Sequence, residues 1–150
     1  MIWLSILLAV LVYPDGSPWG HAGMPDGDTC ASCHWDDEAE IASPRLQIDG
    51  LPAHFTPGAR YELTIRLEAA GAMNGFQLAA SAGEFVSVAP DTQSQAHAVR
   101  SVAPAGVWRV DWLAPASPTR VQFWLAVNDA NGDASEFGDR ILLHEFESGP

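Results

Sequence analysis

The feature that most limits what this chain can fold into is a strict alternation of apolar and polar residues. In "YELTIRL", Tyr61, Leu63, Ile65 and Leu67 fall on one side of an extended chain and Glu62, Thr64 and Arg66 on the other. Side chains that swap sides at every residue suit one half-buried sheet face and cannot make the stripe of an amphipathic helix. "VWRVDW" repeats the pattern, with Trp108, Val110 and Trp112 opposite Val107, Arg109 and Asp111. "RVQFWLAVN" aligns Val121, Phe123, Leu125 and Val127, but Trp124 and Ala126 make its second face apolar too. A strand covered on both faces is predicted there, central in its sheet.

Shorter patterns predict further strands over 46–48, 75–80, 84–88, 98–102 and 141–146. Between them lie "GLPAHFTPG", "AAGAMNG", "VAPDTQ", "APAGV", "APASPT" and "NDANGDASEFGD", rich in turn-forming Gly, Pro, Asn and Asp. About eight short strands at such spacing predict an all-β protein, an Ig-like antiparallel β-sandwich of two sheets. A chain of 150 residues supports one main core. No internal repeat is visible. The one helix predicted is short, over residues 30–41, started by Asp28 or Thr29 and supported by acids in its first turns.

The first residues, "MIWLSILLAVLVYP", give an apolar run from Ile2 to Tyr13 that Pro14 stops, too short to span a bilayer. Small residues at "GHAG" suit cleavage after Ala22, so residues 1–22 read as a signal peptide and the protein as exported, to the periplasm or to the extracellular or cell-surface side. No Lys or Arg precedes the run, which leaves retention as an anchor open. Removing 1–22 removes one acid, Asp15, and takes the formal charge from −12 to −11. With seven arginines and no lysine, so acidic a chain is not built to bind nucleic acid or an anionic membrane. A redox partner with a basic surface suits it better.

Residues 23–44 differ in texture, being Gly-, Pro- and Asp-rich around "TCASCHWDD". Cys30 and Cys33 are the chain's only cysteines, and His34 follows the second. Covalent haem attachment needs two thiols spaced to meet two vinyl groups and an adjacent histidine whose imidazole reaches the iron. Cys30, Cys33 and His34 supply all three, and export delivers the chain to where such groups are attached. A structural zinc site would need a second ligand pair, whereas the other histidines are scattered at 21, 54, 97 and 144. A dithiol switch belongs at the start of a helix in a βαβ fold. A disulfide between Cys30 and Cys33 would close only a small loop. One covalently attached haem c is therefore the expected cofactor, with Cys30 and Cys33 as its attachment points and His34 as the proximal iron ligand. Residues 23–44 form the attachment segment and 45–150 the sandwich.

So short a segment cannot wrap a haem by itself. The group must lean on the sandwich, on a neighbouring subunit, or stay partly exposed, with Trp35 and Met24 as candidate packing partners. For the ligand opposite His34, the candidate is His97 in "QSQAHAVRS", ahead of His54, His21 and His144, with Met24 and Met73 in Gly-rich loops as the methionine alternatives. Asp36, Asp37, Glu38 and Glu40 in "WDDEAE" place negative charge beside the iron, or simply form a solvated face. In "NDANGDASEFGD", Asp129, Asn131, Asp133 and Ser135 alternate as calcium ligands do. However, Ala134 stands where an EF-hand loop needs glycine and Arg140 where it needs glutamate, so 129–139 reads as a long inter-strand loop.

Taken together, "GDTCASCH", "FTPGARYELTIRL", "NGFQLAAS", "AHAVRS", "VWRVDWLAP" and "VQFWLAVNDANGDASEFGDRI" resemble the bacterial choice-of-anchor V domain, a relative of the reelin-type β-sandwich. The most specific matches are "GFQL", the strand exit from Trp108 to Pro115, and the "GD" at Gly138 and Asp139. The resemblance implies an Ig-like sandwich on an exported or surface protein and no enzymatic activity. It also implies a structural role for His97, since reelin-type domains without haem carry a matching histidine. An electron carrier rather than a catalyst is expected; the alternative is a non-redox extracytoplasmic binding or adhesion module with a Cys30–Cys33 disulfide.

Overall fold

Alternation becomes burial as the pattern requires. Leu63, Ile65, Trp108, Val110, Trp112, Val121, Phe123, Leu125 and Val127 are all withdrawn from solvent, while Glu62, Arg109 and Val107 face out. The structure, a computed structural model, describes residues 16–34 and 36–150. Its strands are β1 (Glu40–Ile41), β2 (Leu46–Asp49), β3 (Arg60–Leu67), β4 (Met73–Ala80), β5 (Glu84–Ser87), β6 (Thr92–Gln95), β7 (Ala98–Ser101), β8 (Val107–Leu113), β9 (Val121–Ala130) and β10 (Arg140–Ser148). They form a six-stranded sheet in the order β1-β10-β9-β4-β7-β6 and a four-stranded sheet in the order β2-β3-β8-β5. Every pairing between named strands is antiparallel except β1 with β10. The inner faces meet in one aromatic core, where Trp112 packs edge-on to Phe123 at 4.9 Å and Trp108 lies 5.0 Å from Phe76. The all-β sandwich expected from the sequence is the fold observed.

Two local expectations fail. The helix predicted over 30–41 is only a single 3-10 turn, Cys30–Ser32, and the far end of that stretch is strand β1. The acids after the turn bring no apolar stripe for a helix to bury, and Ala42 takes a left-handed φ of 52° that ends β1 at once. Conversely, "TQSQ", polar enough to pass for loop, is strand β6. It is extended because it pairs with β7 through a tight turn in which Ala96 has φ 48°.

β9 is central, between β10 and β4, and both its faces are covered. Its second face is met not by another sheet but by residues 17–34, which lie across the outside of the six-stranded sheet. Ala22 packs with Ala79 and Trp124, and the buried Gln77 accepts a bond from the His21 N–H at 2.7 Å. Its own amide donates to Pro18 O at 2.8 Å and Ser17 Oγ at 3.1 Å. Arg100 donates to Ser17 O and stands 4.5 Å above the Trp19 ring. Among the described residues, no helix is long and apolar enough to cross a membrane. The apolar run 2–13 lies outside the described residues, as does Trp35.

Candidate functional site

The cysteine motif is fixed by its own backbone before it meets the sheet. Thr29 caps the 3-10 turn, its Oγ1 accepting from Ala31 N at 3.1 Å. The carbonyl of Cys30 then accepts from both Cys33 N and His34 N, at 3.2 and 3.0 Å. This winds the two cysteines and the histidine into one tight unit, which packs on β9. Cys33 is exposed, while Cys30 is turned partly inward. Burial, with a smaller push from Cys33 and an opposing backbone hydrogen bond, raises the Cys30 thiol from 9.0 to about 12.

His34 lands where β9 and β10 leave the sheet. Its Nδ1 is 2.8 Å from Asp139 Oδ2, and that carboxylate is almost fully buried. The Asn128 amide nitrogen stands 3.4 Å from Nδ1 and 3.3 Å from Nε2, and also 3.3 Å from Asp139 Oδ2. The other carboxylate oxygen, Oδ1, accepts from Asn131 N at 2.9 Å and thereby closes the 131–139 loop. Gly138, at φ 75°, turns the chain to aim Asp139 inward, and its N–H donates to Asp36 Oδ2 at 3.0 Å. One acid of "WDDEAE" thus ties the exit of the cysteine motif to this loop, while Asp37 and Glu38 are solvated.

The alternation that suggested calcium has another use. Asn131 Oδ1 accepts from Asp133 N, Asp133 Oδ1 from Ser135 N, and Ser135 Oγ from Phe137 N. Successive side chains cap the loop's own backbone. Asp129 is drawn away altogether, buried between Arg45 at 2.7 Å and Arg140 at 3.4 Å and accepting from Gly71 N.

Beside the turn, a trough of about 340 Å³ is lined by Ala22, Thr29, Ile41, Trp124 and Leu143 among others. Ile41 is 71% exposed here, a large apolar side chain left in water next to the thiol segment. The structure does not bring His97 to this place. It sits in the β6–β7 turn with Nδ1 on Gly83 O, and Ala98 beside it pairs with Ala79. Ala79 is four residues along β4 from Gly75, the partner of Asn128, roughly 13 Å at strand rise. His144, by contrast, lines the trough and stacks on Phe146 at 4.1 Å, whereas His54 bridges to Gly149 and His21 bonds Pro18 O. Met24 lines a separate hollow with Trp19 and His97. Met73 opens β4 rather than lying in a loop; it is 54% exposed and sits diagonally across from Asn128. Among the described residues, no three His, Cys, Asp or Glu side chains gather so as to hold a metal ion by themselves.

Asn128 and Asp139 carry no sequence mark as partners of His34. Asp139 stood in the "GD" of the resemblance, and Asn128 shares the outward parity of Trp124 and Ala126 on β9, but nothing in the order of residues links either to position 34.

No protein-family model matches the chain, and no curated protein matches it. Solved structures do. The reelin-N domain of F-spondin superposes with a TM-score of 0.60 at 19% identity, covering 79% of this chain and 95% of that one. Two structures of the human F-spondin reeler domain give TM-scores of 0.57 and 0.53 at 18% and 21% identity. Each covers 75% of this chain, and 91% and 95% of its own. At such identities the likeness is one of fold, and the fold is the reelin-type β-sandwich.

Proposed function

We propose that the protein is an exported haem carrier, attached through thioethers to Cys30 and Cys33 and ligated by His34, with the sandwich as its platform and electron transfer as its role. The observation that carries this reading is the seating of "CASCH": one capped turn carries both cysteines and brings the His34 imidazole to Asn128 of β9, next to an apolar trough. The donor set fits the group. Cys33 is open to solvent, Cys30 stands at the sheet, and His34 Nε2 has only the long Asn128 contact at 3.3 Å to exchange for a metal. Bound iron would supply a one-electron couple. The chain's residues would hold the group, screen one face with Ile41, Trp124 and Leu143, and present the acids 36–38 to a basic partner. Likeness to the choice-of-anchor V domain belongs to the same reading, as do the absence of catalysis and export to the periplasm or cell surface.

A reelin-type sandwich equally suits a second reading, a binding or adhesion module whose cysteines form a disulfide. Intact mass of the protein, produced with a haem-attachment system, separates the two: one haem added to the polypeptide supports the carrier, and two hydrogens lost supports the module. A pyridine haemochrome spectrum without the c-type band rejects the carrier.

A further inference from the structure

We propose that Asp139 is the positioning residue for the proximal ligand, fixing which nitrogen of His34 faces the metal and how strongly it donates; the proposal rests on the haem reading above. A neutral imidazole has one N–H and one lone pair, and the neighbours decide which nitrogen carries which. Asp139 Oδ2, 2.8 Å from Nδ1, is a carboxylate oxygen that can only accept from an imidazole. It therefore places the proton on Nδ1 and the lone pair on Nε2. The Asn128 amide nitrogen, 3.4 Å from Nδ1 and 3.3 Å from Nε2, favours neither nitrogen, so the assignment rests on the Asp139 contact.

The carboxylate is itself immobile. Its side chain is 2% exposed, its second oxygen is held by Asn131 N at 2.9 Å, and Gly138 fixes the backbone ahead of it. A buried anion bonded to the far side of a metal-binding imidazole makes that imidazole a stronger donor and favours the more positive metal state. The 131–139 loop, from which the calcium reading came, is on this account the arm that carries a second-layer partner to the histidine.

The experiment uses the full chain and its Asp139→Asn variant, both co-produced with a haem-attachment system, with haem content read by intact mass and the midpoint potential by redox titration. Asparagine keeps the shape and an oxygen for Asn131 N but removes the charge. The expected result is an upward shift of the potential in Asp139→Asn with haem still attached; equal potentials in the two loaded proteins overturn the proposal. Nitrogen-15 imidazole spectra of the haem-free wild-type chain supply a reading that needs no variant to fold. His34 is expected as the Nδ1–H tautomer, and an Nε2–H tautomer overturns the assignment even if haem binds. A wild-type chain that takes up no haem fails the carrier reading by mass, while the tautomer still reports on Asp139.

Discussion

Cys30 and Cys33 are three residues apart yet chemically unequal. In the haem-free chain the Cys30 thiol, raised to about 12, stays protonated through neutral pH. Iodoacetamide at pH 8 is therefore expected to label Cys33 well before Cys30, as read by peptide mass; equal rates would contradict the burial that separates them. The sign of the pH dependence follows. Unfolded, the thiol ionises near 9.0 while the folded chain keeps its proton, so the stabilising contribution is whole below pH 9 and drains away between 9.0 and about 12. Denaturant midpoints for wild type are expected to fall faster over that window than for a Cys30→Ser chain. Asp129 gives a larger residue-scale effect. Replacing it with alanine leaves the Arg45 guanidinium, mostly covered, without its anion, and is expected to cost about 3 kcal/mol in urea unfolding. The polar character of "NDANGD" announced a loop, but not that its first aspartate belongs to the interior; Arg45 and Gly71, far off in sequence, together with Arg140 make that burial tolerable.

At the scale of elements, the legible parts were those with a period. β3, β8 and β9 read directly from alternation, because the pleat sends successive side chains to opposite faces whatever lies beyond the strand. β1 and β6 did not read, since two-residue and wholly polar strands exist only by virtue of the partners β10 and β7. The strap over 17–34 was also illegible. Its packing bears on processing. A protein starting at Gly23 lacks the bonds of Ser17, Pro18 and His21 to Gln77 and the buried Ala22. Against one starting at Gly16, it is expected to lose about 1–2 kcal/mol and to melt about 3–8 °C lower by calorimetry. Register also places His97 roughly 13 Å of strand from the His34 site. The His97→Ala protein, loaded with haem, should keep the wild-type absorption spectrum; a change of spin state would reinstate that histidine as a ligand.

For the whole molecule, the two sheets are joined by a single aromatic core, with Trp112 touching Phe55, Tyr61 and Phe123. Trp112→Ala is expected to cost about 3–5 kcal/mol in chemical denaturation, a large share of the roughly 5–15 kcal/mol that holds a domain folded. A loss below 1 kcal/mol would mean the sheets are not keyed together there. The sequence by itself determined the strand period, the all-β class, the sandwich and the cysteine–histidine motif, because each is a property of neighbours along the chain. Only the tertiary structure decided that residues 17–34 cover the outer sheet, and that Asn128 and Asp139 meet His34. Those contacts join positions 56 or more residues apart, and no local rule of side-chain direction or backbone preference encodes a distance across a sheet.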